Sequence, residues 1–398
     1  MFKCENRPNI ALICNAIELI LSTKGVSNLT ESIKIGMTET LQKRVMVLNN
    51  LPPPSAIYRY SNDVVLALGG QGELVNMLYD SSKWSSMPSI KNYRGRFGNH
   101  YIVNATLVNT AFKSLRDNIR DHIRTGNFIH YAHESSSPFD MPLDRSVVTV
   151  HEDPKIRLKT DLYSNNAGTL SEFIIKRFRK RLYDRYKQFD NVLTVSETVK
   201  NGLLDYGFRG NIKVIYPPVS AEFKLLSNKM ELRKKLRFPT DKKLVLSVSS
   251  TNKRKNLQMV KNVVERLGDN YMLIHIGENI GSGLTFRNVP GSTLNEIYNA
   301  CDLLLFPTFA EGYGYPVVEA FSVGLPVVSS DIEVIRETAG NAAILVDPSS
   351  MDDLVSGVKE AIALQEDLRT KGLKRSVKFS FNSFQKGIIG YYASLSHI

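Results

Sequence analysis

Two series of short apolar runs, each run followed by a helical pattern, and a proline-marked break between the series predict an α/β chain of two doubly wound, Rossmann-like domains facing a central cleft. A length of 398 residues supports this, because it exceeds one ordinary hydrophobic core and suits two. The first series is NIALICNA, RVMVLNN, DVVLALGG, NFIHYAHE, SVVTVHE, NVLTVS and NIKVIYPP. YPPVSAEF, with Pro217 and Pro218, reads as the linker. KLVLSVSS, YMLIHIGE, DLLLFPT, LPVVSS and AAILVDP then form the second series, with helices expected near 256–267, 293–301, 316–323, 332–339 and 350–364. FQKGIIGYYASL closes the chain as a helix after the turn-like FSFNS. The resulting division is 1–218, 219–378 and a closing segment 379–398.

Composition narrows the class. A hydrophobic share of 42% with 23% charged residues fits a soluble globular protein and excludes a disordered chain. Lys3 and Arg7 before NIALICNAIELIL resemble a signal peptide, but Asn15 and Glu18 interrupt the apolar run and no small-residue cleavage site follows, so a buried first strand is expected. No stretch reaches the roughly 18 uninterrupted apolar residues of a spanning helix. Cys4, Cys14 and Cys301 have no metal-ligand spacing, and a reducing cytoplasm is the expected location.

Lysine and arginine number 51 against 39 acids, and the excess is concentrated. Residues 176–187, KRFRKRLYDRYK, hold seven basic residues and one acid. Ile174, Phe178, Leu182, Tyr186 and Phe189 fall at steps of four and three, which predicts an amphipathic helix with one buried stripe and a basic remainder. That remainder is either a solvated face or a surface for anionic lipid or a phosphate-bearing acceptor, which would place the protein peripherally at a membrane. Nucleic acid is not expected, because no recognisable binding module accompanies the charge.

The sharpest local signal runs from Phe306 to Ser330, FPTFAEGYGYPVVEAFSVGLPVVSS. A strand leads into a loop with Glu311, Gly312 and Gly314, and Pro316 opens a helix whose first turn is expected to hold Glu319. Glycines let backbone approach a ligand, and the amides of a helix start favour an anion, so the segment reads as a diphosphate seat. Two carboxylates eight residues apart can reach two parts of one polyhydroxylated ligand; alternatively Glu319 only complements the positive helix end. In LSVSSTNKRKNLQMV a second strand delivers Lys253, Arg254, Lys255 and Asn256 to a helix start, where fixed cations would neutralise a departing diphosphate. SVVTVHEDP ends a first-series strand on His151, and His133 in HYAHES is a second candidate of that kind.

These segments resemble the family-4 retaining glycosyltransferases of the GT-B fold, whose hallmark is a pair of glutamates at the spacing of Glu311 and Glu319. The resemblance covers about 240–375 firmly and 1–215 only in outline. It implies that Glu311 contacts the donor sugar and Glu319 the ribose hydroxyls, with the amides of Gly312, Tyr313 and Gly314 along the diphosphate and sugar. Lys255 falls at the family's phosphate-contacting lysine. Ser249 stands where a glycine is common and no arginine follows it, so a second phosphate cation is either missing or supplied by Arg254. His151 matches a histidine facing the donor sugar; the family's next residue is Asp, whereas Glu152 and then Asp153 follow here and leave the partner carboxylate open. Gly25, in STKGVSNLTES, resembles the glycine-containing loop of the acceptor side, and IGENIGSG with the strand FRNVP, including Val289, would border the nucleobase.

The implied substrate is a nucleotide-diphosphate sugar, UDP- or GDP-linked, with no cofactor and no metal. The implied reaction moves a hexose-type sugar to a glycan or lipid-linked saccharide with retention of configuration. A glycan synthase or phosphorylase on the same fold, or a catalytically silent nucleotide-sugar-binding subunit, are the alternatives. A Rossmann oxidoreductase would need a glycine-rich fingerprint after the first strand, and CNAIELILSTKG lacks one.

Overall fold

The computed structural model describes residues 43–49, 55–76, 113–133, 143, 145–158 and 170–396. NIALICNA, Gly25 and the STKGVSNLTES loop lie outside them.

Two six-stranded parallel sheets organise the described residues. The first contains β1 (Val45–Asn49), β2 (Gly72–Asn76), β3 (Phe128–Tyr131), β4 (Ser146–Val150), β5 (Asn191–Thr194) and β6 (Asn211–Val214), in the order β2-β1-β3-β4-β5-β6. The second contains β7 (Lys243–Val248), β8 (Tyr271–Ile276), β9 (Leu284–Phe286), β10 (Leu303–Phe306), β11 (Val327–Ser330) and β12 (Ile344–Val346), in the order β12-β11-β10-β7-β8-β9. The chain reverses direction across each sheet, and ligands of open parallel sheets bind at the carboxyl ends beside such a reversal.

The strands read as near-continuous apolar runs because both faces of each sheet are covered. In the first sheet Val45 and Val47 face the helix Ala56–Leu68 and the closing helix Phe381–Ser396, while Met46 and Leu48 face the opposite core, which holds Tyr183 and Tyr186. The second sheet is sandwiched in the same way, with Leu244 and Leu246 on one face and Val245 on the other.

Two expectations are corrected. DVVLALGG is not a strand: it completes the helix Ala56–Leu68, whose buried residues Tyr60, Val64, Ala67 and Leu68 follow helical steps, and the strand comes afterwards as Gly72–Asn76. FRNVP is not a strand either, because β9 ends at Phe286. The basic segment is helical as expected, within Leu170–Tyr186. Lys176, Arg177, Lys180 and Arg181 are exposed, but Arg185 is buried and Arg179 donates to the Arg157 carbonyl at 3.2 Å, so not every cation faces solvent.

The chain crosses between the sheets twice at one place. Val219 N, just after Pro217 and Pro218, donates to Phe379 O at 2.9 Å, where the chain returns. The closing helix then packs on Ala56–Leu68, so chain from beyond the second sheet completes a core of the first. Tyr313, Val318 and Phe379 also pack into a first-sheet core, which fixes the loop after β10 against the first half of the molecule.

Candidate active site

The carboxyl ends of the two sheets face each other across a cavity of about 970 Å³. The second sheet contributes Ser249 and Ser250 after β7, Gly277 and Glu278 after β8, Arg287 and Asn288 after β9, and the loop Glu311–Tyr315 after β10. The first contributes His133 after β3, His151 and Glu152 after β4, and Ser55, Ala56 and Arg59 at the start of the helix that follows β1.

Glu311 is the hub. Its Oε1 accepts from Lys255 Nζ at 2.5 Å and from Thr308 Oγ1 at 3.0 Å, with Arg254 Nη1 at 3.1 Å. Burial acts to raise this carboxyl, but the Lys255 and Arg254 charges and the Lys255 and Thr308 hydrogen bonds outweigh it and hold Glu311 below the ordinary carboxylate range. Burial pushes the Lys255 ammonium down, and the neighbouring Arg254 adds to that, while Glu311 supports the charge. The three groups come together because Asn252 caps the short turn Lys253–Lys255, accepting from Arg254 N at 3.2 Å, and Phe309 N then donates to Arg254 O at 2.7 Å, tying the two loops.

Arg254 also reaches the first half. Its Nη2 lies 3.5 Å from Glu152 Oε1, and Arg157 Nη1 lies 2.9 Å from Glu152 Oε2. Burial would raise the Glu152 carboxyl, but Arg157 and then Arg254 bring it down to about 2. Of the two carboxylates after His151, Glu152 lines the cleft, whereas Asp153 caps the turn Pro154–Arg157 by accepting from Lys155 N at 2.8 Å.

Glu319 lies in the second turn of the helix Tyr315–Ser322, not the first, because the helix starts one residue before Pro316. Proline is still harmless there, since the first four helical amides have no partner within the helix. Arg59 Nη1 donates to Glu319 Oε1 at 3.0 Å and Tyr298 OH donates to Oε2 at 2.8 Å, while the Arg59 guanidinium stacks 4.6 Å from the Tyr315 ring centre.

The loop glycines have steric reasons. A Cβ on Gly312 would sit 1.7 Å from the His151 carbonyl oxygen, so only glycine allows the loop to close on β4. Gly314 has φ 92°, a left-handed conformation that starts the helix and that other residues avoid. Tyr313 is buried, its hydroxyl donating to Pro217 O at 2.8 Å.

His151 is 7% exposed and packs edge-on against Tyr60, with ring centres 4.8 Å apart. Its Nε2 donates to Ala132 O at 2.8 Å. His133 stands 5.7 Å away, and burial, aided by the Arg157 charge, lowers it to about 3, so it is neutral near pH 7.

The structure thus brings His151, Ser249, Arg254, Lys255, Glu311, Gly312, Tyr313, Gly314 and Glu319 to one cleft. The Ser249 hydroxyl is buried there without a hydrogen-bond partner. Val289 packs on the second core instead, and its neighbours Arg287 and Asn288 line the cleft. Sequence reading missed Arg59, Arg157 and Tyr298. Arg59 and Tyr298 act through pairings 260 and 21 residues away from Glu319, and no local pattern marks them.

Comparison with known proteins agrees with this architecture. Residues 228–375 match the family described as glycosyl transferases group 1. Among curated proteins, O-antigen chain mannosyltransferase B of Escherichia coli is 30% identical over 110 residues, 27% of this chain. The match spans 29% of that relative's length. Among solved structures, sucrose-phosphate synthase of Thermosynechococcus elongatus superposes with a TM-score of 0.67 at 15% identity, covering 89% of this chain and 99% of that one. HepE of Anabaena, solved in complex with UDP-glucose, gives 0.64 at 14% identity, covering 88% and 99%. At such identities the structural likeness speaks for the fold alone. The chain thus has the two-sheet GT-B fold, and its residues 228–375 carry the match to the glycosyl transferases group 1 family.

Proposed function

We propose that this protein is a retaining glycosyltransferase that moves a hexose-type sugar from a UDP- or GDP-sugar to a hydroxyl of a glycan or lipid-linked saccharide. The observation that carries the reading is the cleft cluster in which Lys255 and Arg254 converge on Glu311, with Glu319 at the same cavity. Lys255 and Arg254 are fixed cations at a strand end, suited to a diphosphate that gains charge as it leaves, so the reaction needs no metal ion. All three donors on Glu311 meet Oε1, and Oε2 is the oxygen assigned to a sugar hydroxyl. Glu319 is assigned to the ribose. His151 forms the opposite wall, its ring beside the sugar.

The acceptor hydroxyl attacks the anomeric carbon from the side on which the diphosphate departs. The bond from that carbon to the phosphate oxygen breaks as the new one forms, and the acceptor proton passes to the departing phosphate. A double displacement needs a carboxylate free to attack, whereas Glu152, Glu311 and Glu319 each pair with a cation. An O-antigen chain mannosyltransferase among the relatives favours a saccharide acceptor. The exposed cations Lys176, Arg177, Lys180 and Arg181, with Phe173 exposed beside them, favour a peripheral site on anionic membrane at the cytoplasmic side.

Thermal-shift screening against nucleoside diphosphates and their sugar conjugates tests the donor assignment. A ligand at 100 times its dissociation constant adds about 2.7 kcal/mol of stability. Stabilisation by UDP or GDP is expected, and none by either would contradict the reading. A catalytically silent subunit would be stabilised equally yet release no nucleoside diphosphate from any donor. For the membrane site, sedimentation with anionic vesicles should be lost at high salt and on changing Lys176, Arg177, Lys180 and Arg181 to Gln; salt-insensitive binding, or none, would leave the helix a solvated face.

A further inference from the structure

The helix Glu197–Asp205 belongs to the first half and the helix Glu333–Ala339 to the second, yet the first turn of one ends on a side chain of the other. Glu337 Oε1 accepts from Glu197 N at 2.7 Å, and its Oε2 accepts from Thr198 N at 2.9 Å and Thr198 Oγ1 at 2.7 Å. A carboxylate on unpaired amides at a helix start is a favourable arrangement within one domain, and here it joins two. The same helix start also grips the proposed diphosphate loop. Ser196 accepts from Val199 N at 3.1 Å and donates its hydroxyl proton to Gly312 O at 2.8 Å. Thr338, next to Glu337, donates to Tyr313 O at 2.8 Å. Arg375 holds the far side, its Nη2 donating to Glu337 O at 2.5 Å and its Nε to Thr338 O at 2.9 Å.

We propose that Glu337 is a positioning residue, an interdomain latch that acts through Thr198 and Ser196 to hold the Gly312–Tyr313 loop against His151 and keep the cleft in its nucleotide-binding shape. The loop is pinned from both sides, by Ser196 of the first half and Thr338 of the second, and Gly312 lies so near the His151 carbonyl that a small opening there separates the two walls. Glu337 lies outside the set of residues that line the cleft, so its effect on ligand binding passes through the loop. This role deepens the donor reading, and only its affinity arm rests on that reading.

Hydrogen–deuterium exchange on the full-length chain, Glu337→Ala and Thr198→Val tests it, with affinity for UDP and for GDP measured on the same samples. Glu337→Ala is expected to speed exchange at Glu197–Val199 and also at Gly312–Gly314, and to weaken nucleoside diphosphate binding about tenfold or more, the scale for losing charge-assisted hydrogen bonds that hold a binding-competent state. Thr198→Val removes one of the three bonds, keeps the helix, and should move both readings the same way by less; it carries the test where Glu337→Ala does not fold. Faster exchange confined to Glu197–Val199, with Gly312–Gly314 and affinity as in the wild type, overturns the proposal. Should the wild-type chain bind neither UDP nor GDP, exchange at Gly312–Gly314 still decides the latch, and the binding result counts against the donor reading alone.

Discussion

The two walls of the cleft are built from different chemistry. The second half presents fixed charge, with Lys255 and Arg254 both gathered within hydrogen-bonding reach of Glu311. The first half presents His151 and His133, and the charges it adds, Arg59, Glu152 and Arg157, are all paired, Arg59 with Glu319 and Glu152 with Arg254 across the cleft and Arg157 with Glu152. Fixed cations suit a leaving diphosphate, and imidazole rings suit hydroxyl groups. The pairs Arg59–Glu319 and Glu152–Arg254 thus link the two halves across the cleft.

Breaking the charged wall should have the largest effect. Lys255→Ala is expected to lower turnover by about 10²–10³-fold, the scale for removing one preorganised group at a developing charge, and to weaken nucleoside diphosphate binding with it. Steady-state kinetics and calorimetry check both, and unchanged turnover would move the role to Arg254. Glu311→Gln separates sugar from phosphate. Transfer should fall strongly while nucleoside diphosphate binds as well as before or better, because Lys255 and Arg254 lose their competing carboxylate. A parallel loss of diphosphate affinity would contradict the assignment.

How far the sequence reveals these walls follows from how local each is. In the second half each strand end runs straight into its chemistry, Lys253–Asn256 after β7 and Glu311–Glu319 after β10, so the motifs stand contiguous in the sequence. In the first half the functional contacts are long-range. Arg59 meets Glu319 260 residues away and Glu337 meets Thr198 139 residues away, and neither leaves a local pattern. VVLAL misled for a related reason: five apolar residues before Gly69 look like a buried strand, and only the helical spacing from Tyr60 onward distinguishes them.

A smaller effect probes the pairing of the first wall. Asp63 sits one turn beyond Arg59 with its Oδ2 buried and unpartnered, and burial, opposed by the Arg59 charge, raises its carboxyl from 3.8 to about 7. The folded chain therefore binds more protons at this site than the unfolded chain between those values. Its contribution to stability is fully present below about pH 4 and is lost as pH rises through about 7. The melting temperature of the wild type relative to Asp63→Asn should fall by a few degrees from about pH 5 to about pH 8. A difference that stays constant would place Asp63 in water.

The central claim is that this cleft transfers a sugar from a nucleotide donor with retention, and time-resolved NMR of slow donor hydrolysis tests it most directly. With α-linked UDP- and GDP-hexoses and no acceptor, water takes the acceptor's place, and nucleoside diphosphate should appear together with the free sugar as its α anomer before mutarotation. Release of the β anomer first would contradict front-face transfer, and no release from any donor would contradict an active glycosyltransferase site.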